Sequence, residues 1–323
     1  MTTKFHKDSF RDKIAQNSID VFITSASFED RCFVIPRVMS GYPLKTAIVF
    51  LNNNESNKII KNAEMLSNEM GKVCELESLD SDSPINNYVI IETILRRITS
   101  NQIRPNLLID STTFTHESLL VLLKLVVLKK EQLGSIYFAY VGAIEYSTNS
   151  KSDDDKWLSK GVQKIRTVLG YPGLTDPTQK NHLMILFGFE SERTKRLIEE
   201  YEYEYISLGF AEIDHSIQSN HQKINFERHQ RLLVEYPKAN KFIFSLTDPI
   251  EAKNQILEHL KSVRFKKLNT VIAPLNNKIS TIGAGLAAIE NENIQIAYAK
   301  PNIYNINGYS VPSEDVYLSE LIL

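Results

Sequence analysis

The sequence predicts an α/β protein built as two three-layer domains with mostly parallel sheets. Three observations carry the prediction. Short β-branched apolar runs recur along all 323 residues, each gives way to a cluster of small polar or charged residues, and each cluster leads into an amphipathic stretch. Strands buried on both faces read as continuous Val, Ile and Leu runs, and helices alternating with such strands imply right-handed βαβ crossovers. Ligands of open α/β sheets bind beyond the carboxyl ends of the strands. The same pattern therefore names the edge at which function is expected.

In the first half, strands are expected at Asp20–Thr24, Thr46–Leu51, Lys72–Leu76, Asn106–Ile109 and Ser135–Val141. Helices are expected between them at Glu29–Met39, Glu55–Met70, Asn87–Ser100 and Thr115–Lys130. In the second of these, Ile59, Ile60, Ala63 and Leu66 share one face, with Lys58, Lys61, Asn62 and Glu64 opposite. That is helix periodicity with a solvated side. Residues 1–150 thus read as one Rossmann-like, flavodoxin-type domain. Residues 151–180 read as a linker, with a helix at Trp157–Leu169 and a turn at Gly170-Tyr171-Pro172-Gly173. The pattern restarts in residues 181–323, a second Rossmann-like domain. Its strands are expected at His182–Phe187, Glu204–Leu208, Lys241–Phe244, Thr270–Leu275 and Ile294–Tyr298, with a closing strand around Asp315–Leu318. Its helices are expected at Glu190–Tyr201, Ile217–Glu235, Pro249–Lys261 and Ser280–Ile289.

Bulk composition narrows the function classes. Apolar content of 42% and charge content of 24% are ordinary for a soluble globular chain. A net charge of -2 and a pI near 6.4 oppose a dedicated duplex-DNA binder. Two local basic clusters, Arg228-His229-Gln230-Arg231 with Lys223 and Arg264 with Lys266 and Lys267, read as ordinary charged surface. With Tyr201, Tyr203, Tyr205 and Tyr236 nearby they are also compatible with single-stranded nucleic acid. The two cysteines, Cys32 and Cys74, form no disulfide framework, and the reducing cytoplasm is the expected compartment. Met1 to Asp12 lacks the apolar core of a signal peptide. Leu119 to Leu128, interrupted by Lys124, is about half the ~20 residues a membrane span needs. His215, His221 and His229 lie six and eight residues apart, so no two share a helical turn, and no metal site is expected.

Three strand-end clusters are candidates for chemistry. In Thr24-Ser25-Ala26-Ser27-Phe28-Glu29-Asp30-Arg31, a strand leads to a helix N-terminus whose free amides and dipole favour an anion. Ser25, Ser27 and Arg31 are the expected ligand contacts, with Arg31 offering a bidentate pair. The bland alternative is that Ser27 caps the helix. In Asp110-Ser111-Thr112-Thr113-Phe114-Thr115-His116-Glu117, hydroxyls and backbone amides can wrap a phosphate while Asp110 accepts from a ribose or holds a metal-bound water. Alternatively, Thr113 or Thr115 caps the next helix with Glu117 in its first turn. The third cluster supplies Gly188, Glu190 and Arg193; Gly188 permits a tight turn, and Glu190 and Arg193 are placed to pair across one turn. No glycine-rich dinucleotide or Walker-type fingerprint occurs.

Residues Asp20 to Asp30 resemble the opening box of TIR domains. Some TIR domains cleave NAD with a glutamate on a later helix, a role the resemblance assigns to Glu92, although the tryptophan–cysteine signature that usually precedes it is absent. Asp110-Ser111-Thr112-Thr113 is similar to the ligand loop of CARF domains, which sense cyclic oligonucleotides in prokaryotic immunity. Together these imply a nucleotide-binding sensor or regulatory component of an antiviral defence system. The alternatives are an enzyme cleaving NAD or a related nucleotide, with Glu92 or Glu117 as catalytic acid, and an interaction subunit with a protein partner or a second copy of itself and no small ligand.

Overall fold

Strand β1 (Thr2–His6) and helix α1 (Lys7–Ala15) precede the first of the buried apolar runs. The computed structural model describes residues 2–52, 56–101, 103–152, 155–200, 203–211, 216–262 and 267–322. The chain divides into two compact units. The first holds residues 1–144 and 310–323, and the second holds residues 145–309.

In the first unit, β2 (Val21–Ala26) leads through a 3-10 turn at Asp30–Phe33 into α2 (Val34–Met39). There follow β3 (Thr46–Leu51), α3 (Asn57–Met70), β4 (Cys74–Ser78), α4 (Pro84–Asn101), β5 (Leu107–Asp110), α5 (His116–Leu128) and β6 (Ile136–Tyr146). In the second unit come β7 (Ser159–Lys160), β8 (Lys164–Pro172), β9 (Lys180–Leu186), α6 (Ser191–Glu200), β10 (Tyr205–Phe210) and α7 (Ser219–Glu235). It continues through β11 (Asn240–Ile243), α8 (Pro249–Lys261), β12 (Leu268–Pro274), α9 (Lys278–Glu290), β13 (Ile294–Lys300) and β14 (Ile303–Tyr304). The chain then returns to the first unit as β15 (Ser310–Glu320).

The first sheet runs β1-β15-β6-β5-β2-β3-β4 and the second β11-β10-β9-β12-β13-β8. Within each, the central strands pair in parallel. Numbered in chain order, the five parallel strands of both units lie 3-2-1-4-5, with added strands beyond the fifth. This is a Rossmann-like order, and it refines the flavodoxin-type expectation, whose order is 2-1-3-4-5. The direction of winding reverses between β2 and β5 in one unit and between β9 and β12 in the other.

Burial explains why these segments are strands. All six residues of β2 are buried, with Val21 opposite Thr46 on one side and Leu107 on the other. Helix starts follow their caps: Thr115 Oγ1 accepts from the Ser118 amide at 3.1 Å, and Asp248 accepts from Ile250 and Glu251 ahead of Pro249. Gly283 lets α9 close on α8, since a Cβ there would stand 2.7 Å from that of Ala252. Among the described residues, no helix is long and apolar enough to cross a membrane.

Two expectations about organisation are corrected. Residues 151–180 are part of the second unit rather than a linker, and the Trp157–Leu169 helix is replaced by β7 and β8. Strand β8 lies antiparallel on β13 and buries Val168 and Tyr171, so its β-branched residues serve a sheet edge. The tail beyond residue 309 belongs to the first unit, where β15 pairs antiparallel with β1.

Candidate ligand-binding site

At the β2/β5 switch point the predicted polar residues do come together, and they satisfy one another. Thr24 Oγ1 donates to Asp110 Oδ2 at 3.0 Å, and the Thr112 amide donates to Asp110 Oδ1 at 3.0 Å. Thr113 Oγ1 donates to the Ser25 carbonyl at 2.6 Å, while Ser111 Oγ donates to that of Ala139 at 2.9 Å. Thr112 Oγ1 accepts from the Val141 amide at 3.0 Å. Asn52, from the end of β3, bridges the two loops by donating to Ser25 Oγ at 2.5 Å and to the Thr113 carbonyl at 2.8 Å. Ser27 accepts from the Glu29 amide at 3.4 Å. Arg31 is turned inward: its Nε lies 2.8 Å from Glu29 Oε2, and its Nη1 donates to the Val141 carbonyl at 3.1 Å. Glu29 also accepts from Ser310 Oγ at 2.7 Å.

Asp110, Ser111 and Thr112 are each 1% exposed or less, so no ligand reaches them in this conformation. Burial pushes the Asp110 carboxyl up to about 6, against the opposing pull of its bonds to Thr112 and Thr24 and of the Arg31 charge. Cys32 is likewise buried, its thiol pushed up to about 12, which leaves it an inert hydrophobe. Glu92 lies on α4, 3.3 Å from Lys129 and 3.8 Å from Arg96. Glu117 sits buried in the first turn of α5, where its charge complements the helix dipole.

The second unit treats the equivalent edge differently. At the β9/β12 switch point Gly188 is required, because a Cβ would collide with the Leu275 carbonyl, and Asn276 Nδ2 donates to the Phe187 carbonyl at 2.5 Å. The loops are thus closed at the switch point itself. Beside it, between the first turn of α6, the facing side of α7 and residues 156–160, a cavity of about 300 Å³ opens. Five cations line it: Lys156, Lys160, Lys195, Arg228 and Arg231. Three acids accompany them: Glu190, Glu192 and Glu235. Glu190 accepts from the Ser159 amide and, at 2.6 Å, from Ser159 Oγ, and it pairs with buried Arg193 at 3.1 Å. Glu192 accepts from the Gly161 amide at 3.3 Å, and Glu235 pairs with Lys195 at 2.8 Å. Arg228 donates to the Phe189 and Lys156 carbonyls and lies 4.5 Å over the Phe189 ring. These bonds fasten residues 156–161 across the mouth of β9.

Of the ligand contacts expected from sequence, Glu190 lines this cavity; Arg193 pairs with it, and Gly188 packs against Leu275. Trp157, Lys160 and Lys195 were not anticipated. The sequence presents Arg228 and Arg231 as surface charge, but Leu232 and Glu235 share their helix face, and this i, i+3, i+4, i+7 set is the signal it offers. His229 points inward, 4.6 Å from the Phe210 ring, so the basic cluster is not continuous. His215, Tyr201, Arg264, Lys266 and Glu55 lie outside the described residues. Among the described residues no cluster of metal-ligating side chains occurs.

A second unforeseen feature is a chain of polar side chains across the second sheet, buried at His182, Ser207 and Thr270 and half-buried at His259. His182 Nδ1 lies 3.3 Å from Thr270 Oγ1 and its Nε2 2.8 Å from Ser207 Oγ, which in turn lies 2.9 Å from His259 Nε2. Phe242 stacks on the His259 ring at 4.8 Å.

No family model matches the sequence, and no curated protein matches it significantly. Among solved structures, the N-terminal ketoreductase from a macrolactin assembly line is similar at 12% identity over 89% of this chain, with a TM-score of 0.23. The chain spans 66% of the length of that protein.

Proposed function

We propose that the protein is a ligand-binding regulatory protein, and that its ligand, a small anion of the nucleotide class, is taken up by the second unit. The observation that supports this reading is the 300 Å³ cavity at the carboxyl edge of the second sheet, with five cations against three acids. Ligand pockets of α/β proteins occur at this edge, and volumes of roughly 300–1,000 Å³ suit small molecules. The first unit serves as a scaffold whose polar residues hold the β2 and β5 loops together. A role as a sensor in a prokaryotic defence system rests on sequence resemblance alone, at residues 20–30 and 110–113, which the first unit holds closed.

The test is a thermal-shift screen against mononucleotides, NAD, ADP-ribose and cyclic oligonucleotides. A ligand at 100 times its Kd adds about 2.7 kcal/mol to the native state. The shift is expected to vanish in Arg231→Ala and to survive in Asp110→Asn. Loss in Asp110→Asn with retention in Arg231→Ala would move the site to the first unit. No shift with any compound would favour an interaction subunit.

A further inference from the structure

We infer that the polar chain across the second sheet is a proton-driven switch, in which a proton held on His259 reverses the hydrogen bonds through Ser207 and His182 and turns the Thr270 hydroxyl into a cavity at the amino edge of the sheet. The chain crosses three adjacent strands. Thr270 lies on β12, His182 on β9 and Ser207 on β10, and His259 reaches the last of them from α8. Ser207 Oγ stands between two imidazole nitrogens, 2.8 Å from His182 Nε2 and 2.9 Å from His259 Nε2. It is fully buried, and among the described residues its hydroxyl has no third partner. A hydroxyl carries one proton, so Ser207 donates to one ring and accepts from the other. Leaving that proton unbonded inside the protein is costly.

The far end sets the direction. His182 Nδ1 is 3.3 Å from Thr270 Oγ1, whose hydroxyl has no other partner among the described residues. With both rings neutral, one direction keeps every proton within the chain. Thr270 donates to His182 Nδ1, His182 Nε2 to Ser207 Oγ, and Ser207 to His259 Nε2, which leaves His259 protonated at Nδ1. Protonating His259 imposes the opposite direction, because both its nitrogens then carry protons. Nε2 donates to Ser207, Ser207 to His182 Nε2, and His182, now protonated at Nδ1, to Thr270 Oγ1. One proton is taken up in all: Thr270, His182 and Ser207 each pass theirs toward His259, and Thr270 regains one from solvent. His182 changes tautomer and stays neutral. Thr270 is 6% exposed and lines a cavity of about 550 Å³ at the ends of α8 and α9, into which its hydroxyl proton then points.

The surroundings leave His259 as the point of charging. It is half-buried, with Phe242 of β11 stacked on its ring at 4.8 Å, whereas His182 is wholly buried. Burial holds His259 below the usual histidine range. Lys241 of β11 acts on His229 of α7 instead. On its own helix Glu258 and Lys261 are exposed and pair at 3.6 Å, and the charges lining the cavity are Asp176, Lys261 and Glu290, the last paired with Lys253.

Ring-nitrogen NMR of the isotope-labelled full chain reads both tautomers, with His182 and His259 assigned among the seven histidines from His182→Gln and His259→Gln. The titration runs from about pH 8 to about pH 5, spanning the ordinary histidine range. At the upper end His182 is expected protonated at Nε2 and His259 at Nδ1. As His259 becomes imidazolium, His182 is expected to convert to the Nδ1 form with the same midpoint. Ser207→Ala should uncouple the pair, so that His259 titrates while His182 keeps one tautomer. Thr270→Val reads the chain from its far end if Ser207→Ala does not fold, and should leave His182 a mixture of tautomers at the upper end. A single tautomer of His182 throughout would overturn the switch. So would a charged His182, a His259 that stays neutral until the protein unfolds, or the same coupled change in Ser207→Ala.

Discussion

The two units share a strand order and differ in what they do with their carboxyl edges. In the first, Thr24, Ser25, Asp110, Thr112 and Thr113 bond to one another beneath Asn52, and charge is neutralised internally by Glu29 and Arg31. In the second, charged side chains from α6, α7 and residues 156–160 stand around a cavity. The same backbone plan thus gives a closed polar core in one place and an open charged pocket in the other. Hydroxyl-rich strand ends are therefore poor evidence of a ligand site until their hydrogen bonds are accounted for.

The comparison can be broken most directly at Arg31. Arg31→Ala leaves Glu29 charged and buried, and should cost roughly 3–5 kcal/mol in the first unit alone. Urea unfolding followed by hydrogen exchange would show protection lost in β2 and β5 but kept in β9 and β12; uniform loss would mean that the units are one cooperative block. Acid sharpens the contrast. Asp110 titrates near 6 when folded, above its usual 3.8, so its contribution is present at low pH and fades as pH rises through 6. Asp110→Asn should remove a pH-dependent penalty at neutral pH of up to roughly 3 kcal/mol. Burial holds His229 and His259 below the usual histidine range, so the second unit loses stability as pH falls below about 6.5. Exchange rates at pH 5 and 7 in both units, compared with Asp110→Asn and His259→Gln, test the opposite signs. Gly188→Ala should destabilise the second unit by about 1–3 kcal/mol through overpacking against Leu275. The smallest effect on folding belongs to Arg231→Ala, within about 0.5 kcal/mol, although ligand affinity should fall.

Much of the architecture was legible because parallel strands advertise themselves. Thr46–Leu51 and Pro249–Lys261 match the sequence expectation at both ends, the first by its apolar run and the second by its Asp248-Pro249 cap. Elements that depend on distant partners were not. β1 pairs with residues more than 300 positions away, and β8 finds its partner in β13, so neither carries a local hydrophobic signature strong enough to declare it. Periodicity also cannot say which sheet a strand joins, which is why β15 was assigned to the second domain. The site divides the same way. Glu190 follows a strand and is legible for that reason, whereas Trp157 opens a segment expected as helix, and its place in the cavity wall depends on Ser147 and Asn305, contacts invisible to spacing.

The return of β15 to the first sheet has a consequence in time. Thr2 and Ser319 are hydrogen-bonded across 317 positions, with the whole second unit emerging from the ribosome between them. At roughly 5–20 residues per second, the amino-terminal strand waits on the order of 15–60 seconds for its neighbour. The inserted unit is continuous and can mature first, while the outer unit remains an unfinished sheet until β15 has been made. A chain released after residue 309 would therefore present a complete inner unit and a bare edge on β6, a form exposed to aggregation and to chaperones.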